Sequence, residues 1–281
     1  MQMKPLFPIA LIAAPLIAAV PVAAMDRLPD GGTATYPRGS VTEAWYGAPT
    51  TRYDHGVLGD AVEGGALIIK TADGSTTMIL LDKSLVFEDI TPRLADLDGD
   101  GNAEIITIVS SLQKGGSLAV FALKGKKLQL VDQTRYIGVT HRWLNVAGIA
   151  DYDGNGKTDV AIVKTPHLGG ALEIWSLLQG SLSQIGSLDG FSNHVIGTRD
   201  LDLSATVDAD GDGMPGLVVP SRDRGKLRHV GFVGGALQEI NCYSLSGKAV
   251  GALQKLDHDK VSVQLDNGQR QTIFLNPSNE K

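Results

Sequence analysis

A single cysteine, Cys242, stands in the whole chain, so neither an intrachain disulfide nor a cysteine-built zinc site can form. Basic residues are in deficit. Lys and Arg number 25 against 31 Asp and Glu, and the formal charge of −6 argues against a nucleic-acid partner or an anionic membrane surface. Catalytic signatures are absent too: there is no GxSxG elbow, HExxH pair, phosphate loop or dinucleotide fingerprint, and no local HxH pair for a transition metal. What the chain does have is glycine, 34 of 281 residues, in a background that is 43% hydrophobic, 20% charged and only 5% aromatic. That balance suits one large folded domain or two small ones and excludes a disordered chain.

Residues 1–24, MQMKPLFPIALIAAPLIAAVPVAA, place Lys4 before a long apolar stretch that closes on Val22, Ala23 and Ala24. This pattern predicts a secretory signal peptide cleaved after Ala24, with the mature protein periplasmic or secreted. Prolines at positions 5, 8, 15 and 21 oppose a stable spanning helix, so no membrane insertion is expected after cleavage. Residues 25–40 are read as a flexible linker and 41–281 as the folded domain.

Three segments repeat one pattern: DLDGDGNAEII from Asp96, DYDGNGKTDVAI from Asp151 and DADGDGMPGLVV from Asp208, at spacings of 55 and 57 residues. Hard oxygen ligands at alternating positions of a tight loop are what Ca2+ requires, and the glycines at positions four and six let the chain curl around the ion. The first loop offers Asp96, Asp98, Asp100, the Asn102 carbonyl and Glu104. The second offers Asp151, Asp153, Asn155, the Lys157 carbonyl and Asp159. The third offers Asp208, Asp210, Asp212 and the Met214 carbonyl, but Gly216 stands where the last carboxylate belongs. Two calcium sites and a weaker third are therefore expected. An EF-hand is excluded, because position twelve is Thr107, Ile162 or Val219 in place of glutamate and lies in a β-branched run.

Repetition at a period near 50 residues signals a repeat architecture. Around each acidic loop the pattern predicts a four-stranded antiparallel meander, such as RLAD, EIITIV, LAVFAL and KLQLVD in the first case. Residues 56–89 are read as a further unit built from GVLGD, ALIIK, TTMILLD and SLVFED, with Asp60 in the place of Asp96. A three-stranded unit follows near the C-terminus, with Asp257 in that place, and VTEAWY at 41–46 is expected to supply its fourth strand. The fold class so predicted is an all-β, five-bladed β-propeller closed by an N-terminal strand.

The pieces ADLDGDGNAEII, IADYDGNGKTDVAI and VDADGDGMPGLVV resemble the FG-GAP or VCBS repeat family, the blade type of integrin alpha-subunit heads and many bacterial secreted proteins. The resemblance implies a propeller with calcium at Asp96, Asp98, Asp100 and Glu104, and at Asp151, Asp153, Asn155 and Asp159. Family membership leaves the function open, since such blades serve in adhesins, lectins, lyases and scaffolds.

If the acidic loops join first and second strands, the remaining loops gather on the opposite face. They carry His55, Arg93, His141, Arg142, Trp143, His167, Asn193, His194 and Arg222. The functional reading is a cationic rim with Trp143 as a stacking platform; the alternative is that these side chains cap strand ends. The expected function is a non-catalytic binding or interaction module for a carbohydrate or an envelope protein. The rival is a polysaccharide lyase or hydrolase using the His/Arg face, with His141 or His194 as base.

Overall fold

The computed structural model describes residues 25–276, and among them strands, turns and irregular segments account for everything, with no helix. The predicted signal peptide lies outside the described residues. Strands β1 (Ala34–Thr35), β2 (Val41–Thr50), β3 (Glu63–Thr71) and β4 (Thr76–Leu80) form the first antiparallel unit. After the short β5 (Leu85–Phe87), the second unit holds β6 (Arg93–Ala95), β7 (Glu104–Ser111), β8 (Gly115–Lys124) and β9 (Lys127–Gln133). The third runs β10 (Leu144–Ala150), β11 (Asp159–Lys164), β12 (Ala171–Leu178) and β13 (Ser181–Asp189). The fourth runs β14 (Ala205–Val207), β15 (Gly216–Pro220), β16 (Lys226–Val233) and β17 (Ala236–Ser244). Three strands, β18 (Gln254–Asp257), β19 (Lys260–Gln264) and β20 (Arg270–Phe274), make the fifth.

Successive side chains of a strand point to opposite faces, and here both faces of the middle units are apolar, so each sheet must be covered twice. In β7, Ile105 and Val109 pack with Leu67 and Ile69 of the first unit, whereas Ile106 and Ile108 pack with Val160 and Ile162 of the third. In β11 the alternate residues Ala161 and Val163 pack with Leu217 and Val219 of the fourth unit. Val218, between those two, packs with Val261 and Val263 of the fifth. Four apolar clusters thus fill the four gaps between consecutive units.

The N-terminal segments depart from expectation. VTEAWY is part of β2, which pairs with β3 in register Ala44↔Ile69 and Tyr46↔Leu67, so it belongs to the first unit and supplies no strand to the last. Its buried Val41, Ala44 and Tyr46 pack against the second unit, and pairing with a neighbour in sequence requires the shorter closure. GVLGD forms no strand; Val57 and Leu58 instead plug the apolar cluster between the second and third units. SLVFED does not close the first unit either. Its β5 pairs with β7 at three positions and with β3 only at Gly64↔Phe87, welding units one and two into a nine-stranded sheet. Nor are residues 25–40 a linker: β1 pairs with β2, and the Leu28 N–H donates to Tyr46 O at 3.0 Å.

Candidate functional site

The three acidic loops join β6 to β7, β10 to β11 and β14 to β15, as the spacing predicts. In each, the first aspartate folds the loop by accepting two backbone N–H groups. Asp96 accepts from Gly99 and Gly101 at 2.8 and 2.9 Å, Asp151 from Asn155 and Gly156 at 3.0 and 2.8 Å, and Asp208 from Gly211 and Gly213 at 2.9 and 3.1 Å. The side chains at position five, Asp100, Asn155 and Asp212, hold the N–H groups of Asn102, Lys157 and Met214 at 2.7 to 2.8 Å. Gly99 and Gly101 have φ of 81° and 86°, a conformation a side chain would resist, and the same glycine pair recurs in the other loops.

Ligand oxygens of Asp96, Asp98 and Glu104 lie within 4.8 Å of one another, as do those of Asp151, Asp153 and Asp159 and those of Asp208, Asp210 and Asp212. Glu104 and Asp159 are buried and accept the N–H of Leu97 and Tyr152 at 2.9 and 3.0 Å. Asp159 Oδ1 is buried without any hydrogen-bond partner, a position a hard cation would satisfy. Burial pushes Glu104 up to about 7, with Asp98, Asp100 and Asp96 adding repulsion, and it pushes Asp159 up to about 6. This donor set fits Ca2+. A fourth acidic group, Asp257, His258 and Asp259 in the β18–β19 turn, was not read as a ligand set from the sequence.

The rim residues other than Arg93, which pairs opposite Ile106 near the acidic-loop end of β7, lie at the other end of the sheets. In the third unit Leu144 pairs with Lys164 there, while Ala150 pairs with Asp159 at the loop end, about 20 Å away at strand rise. Four histidines do come together. The rings of His55 and His141 lie 5.2 Å apart and those of His167 and His194 5.1 Å apart, with Trp143 stacked on His167 and edge-on to His194. His55, His141, Arg142, Trp143 and His167 line one cavity of about 110 Å³, whose mouth carries the exposed Leu168 and Ile196. Two of its lining residues, His141 and Thr165, hold φ of 54° and 53°. A β-branched residue in that region is strained, and such strain concentrates at functional sites.

Behind the cavity, Glu88 is fully buried and accepts from His55 Nδ1 at 2.5 Å and from the Ser110 hydroxyl. Burial raises the Glu88 carboxyl, and these two hydrogen bonds pull it back down. His141 Nε2 meets Asp54 at 2.9 Å, and its backbone N–H donates to the Tyr53 hydroxyl at 2.9 Å; burial drives that phenol up to about 12. His194 Nε2 faces the Thr198 carbonyl at 3.1 Å and so carries the proton, leaving Nδ1 to accept from His167 Nε2 at 2.9 Å. Burial lowers both imidazoles to about 4, so the pair is neutral at physiological pH.

Other rim expectations need correction. Trp143 is only 2% exposed and donates its indole N–H to Glu88 O at 2.8 Å, so it is a wall of the cavity and no open platform. Asn193 and His194 are fully buried, and Arg93 is tied to Asp89. Arg222 lines a different surface cavity with Asp223 and Arg228. The apolar mouth was not legible in the sequence, because Leu168 and Ile196 sit in loops without periodicity.

These features define an all-β repeat protein with acidic loops at one end of its sheets and a histidine cavity at the other. Residues 96–162, which span the first two acidic loops and the strands between them, match the model of the FG-GAP-like repeat. No curated protein matches the chain.

Proposed function

We propose that the chain is an exported, calcium-stabilised β-propeller of five blades, related to VCBS and integrin-type repeats, that works as a non-catalytic interaction module. Calcium occupies the first two acidic loops and fixes one end of the ring; the histidine cavity at the other end receives the partner. The observation that carries this reading is the pairing of three similarly folded acidic loops with one cavity at the opposite end of the sheets. Between the two partner classes, the exposed Leu168 (56%) and Ile196 (63%) beside neutral imidazoles favour an envelope protein over a carbohydrate, since paired apolar side chains at a cavity mouth suit a protein surface. The test is retention of envelope proteins and of arrayed glycans by the purified chain. His141→Ala with Ile196→Asp abolishes retention while leaving the calcium-induced rise in melting temperature unchanged; equal retention by this variant overturns the cavity as the docking site.

A second reading is favoured by one observation. The buried Glu88 carboxyl holds Nδ1 of His55, whose ring lines the cavity, the arrangement of a carboxylate-supported general base. A polysaccharide lyase or hydrolase would use it so. New reducing ends or unsaturated products, lost in His55→Ala, establish that activity in place of simple binding.

A further inference from the structure

The face that the third unit turns toward the second is not apolar throughout. At position twelve of the three acidic repeats stand Thr107, Ile162 and Val219, and the residues paired opposite them are Ala119, Glu173 and Arg228. Opposite Ile105, Val160 and Leu217, on the same faces, are Phe121, Trp175 and Val230. In the second unit this pair is apolar and packs on the first unit, with Phe121 edge-on to Phe87. In the fourth unit Arg228 is held by the fold: it pairs with Glu239, donates to Asp189 O at 2.7 Å and lies 3.9 Å over the Phe191 ring. Of the three, the third unit alone sets a carboxylate beside an indole here.

Glu173 is 5% exposed, and its two oxygens hold two groups: one pairs with the Lys164 ammonium, and the other accepts the Trp175 indole N–H at 3.1 Å. The carboxylate thus fixes the plane of a half-buried ring that packs on the apolar cluster between the second and third units. These three residues line a groove of about 350 Å³, to which Gln133 and Arg135 come from the end of the second unit and Gln184 from β13. Among the described residues the side chains of Gln133, Arg135 and Gln184 make no hydrogen bond or ion pair. Two cations against one carboxylate leave the groove positively charged. We propose that it is a saccharide subsite for a uronate. A pyranose face rests on Trp175, the ring hydroxyls bond to the amides of Gln133 and Gln184, and the sugar carboxylate pairs with the Arg135 guanidinium fork. An acidic peptide would satisfy the arginine but brings no flat hydroxylated ring for the indole and the two amides. The groove shares no residue with the histidine cavity, so the inference is independent of what docks there.

Cellobiouronate, a glucuronate linked to glucose, is the probe, and cellobiose, which lacks only the carboxylate, is its neutral control. In calorimetric titration of the full chain, cellobiouronate binds at least about tenfold more tightly than cellobiose, the size of one charge-assisted pair. Arg135→Gln changes a side chain with no partner in the fold, so the melting temperature holds while the ratio of the two affinities falls to about one. Trp175→Leu weakens both sugars at least about tenfold. Because Trp175 also packs on the core, Gln184→Ala at an exposed position is the second arm, and it weakens both sugars at least about threefold. Absence of binding, equal affinity for the two sugars, or a preference that survives Arg135→Gln overturns the proposal. Tetraglutamate bound as tightly as cellobiouronate also overturns it, in favour of an acidic peptide. Retention of a protein partner reports on the histidine cavity and this titration on the groove, so either reading can fail without the other.

Discussion

Single buried carboxyls separate what is legible in a sequence from what is not. Glu63 opens β3 and is 1% exposed; burial first, then Glu88, Asp60 and Asp89, push it up to about 9. The folded protein therefore keeps Glu63 protonated across the window from about 4.5 to about 9, in which an unfolded glutamate is ionised. The native state binds the extra proton there, so stability falls as pH rises through that window. Glu63→Gln should remove this slope and stabilise the protein by about 3 kcal/mol at pH 7, an order-of-magnitude figure from linkage. Urea unfolding at pH 5 and pH 8 checks it: equal loss of stability in both proteins would show that Glu63 is ionised in the fold. No local pattern around Glu63 announced this, because the charges that add to the effect of its burial, Glu88 and Asp89, arrive from the segment after β5. The loop aspartates, by contrast, were legible at once, since their spacing and their glycines act within a dozen residues.

Strands and turns were legible wherever the sequence alternates around a fixed loop. The three complete units emerge as expected because each carries its own turn glycines and its own two apolar faces. The first unit was misread at GVLGD and SLVFED, whose apolar residues look like strands but are buried by other units: Val57 and Leu58 fill a cluster two units on, and β5 bridges β3 and β7. Glycine at turns divides the same way. Gly180, in the β12–β13 hairpin, has φ of 78° and open space around its missing side chain, so Gly180→Ala should cost only the backbone strain of about 1–2 kcal/mol. At Gly170 a Cβ would stand 1.9 Å from the Phe191 carbonyl oxygen, which belongs to the connection leading to the next unit. Gly170 O also accepts the N–H groups of Gly190 and Phe191 at 2.8 and 3.0 Å. Gly170→Ala must push that connection away and should cost at least about 3 kcal/mol, a loss of the size that broken junctions produce. Thermal melts of the two variants decide this; a smaller loss at Gly170 than at Gly180 would show that the junction yields freely.

At the scale of the whole molecule, no unit is covered by its own residues. Each of the four clusters draws side chains from two consecutive units, the one between the second and third also taking Val57 and Leu58 from the first, so melting one sheet exposes its neighbours and the stack is held by contacts between units. The acidic loops fasten the ends of the same strands whose centres build these clusters. Calcium in the first two loops should therefore stabilise the entire stack beyond the loops themselves. At a hundredfold excess over its dissociation constant each ion contributes about 2.7 kcal/mol, and two such sites should raise the melting temperature by roughly 10–20 °C. In calorimetry with calcium and then with chelator, a single transition should move as a unit, and Asp153→Asn should remove about half of the shift. If the trace instead splits, so that only the second and third units respond to the ion, the sheets melt independently and the apolar clusters do not couple them. A transition that chelator leaves unmoved would mean that the acidic loops are closed by their own backbone hydrogen bonds and hold no calcium.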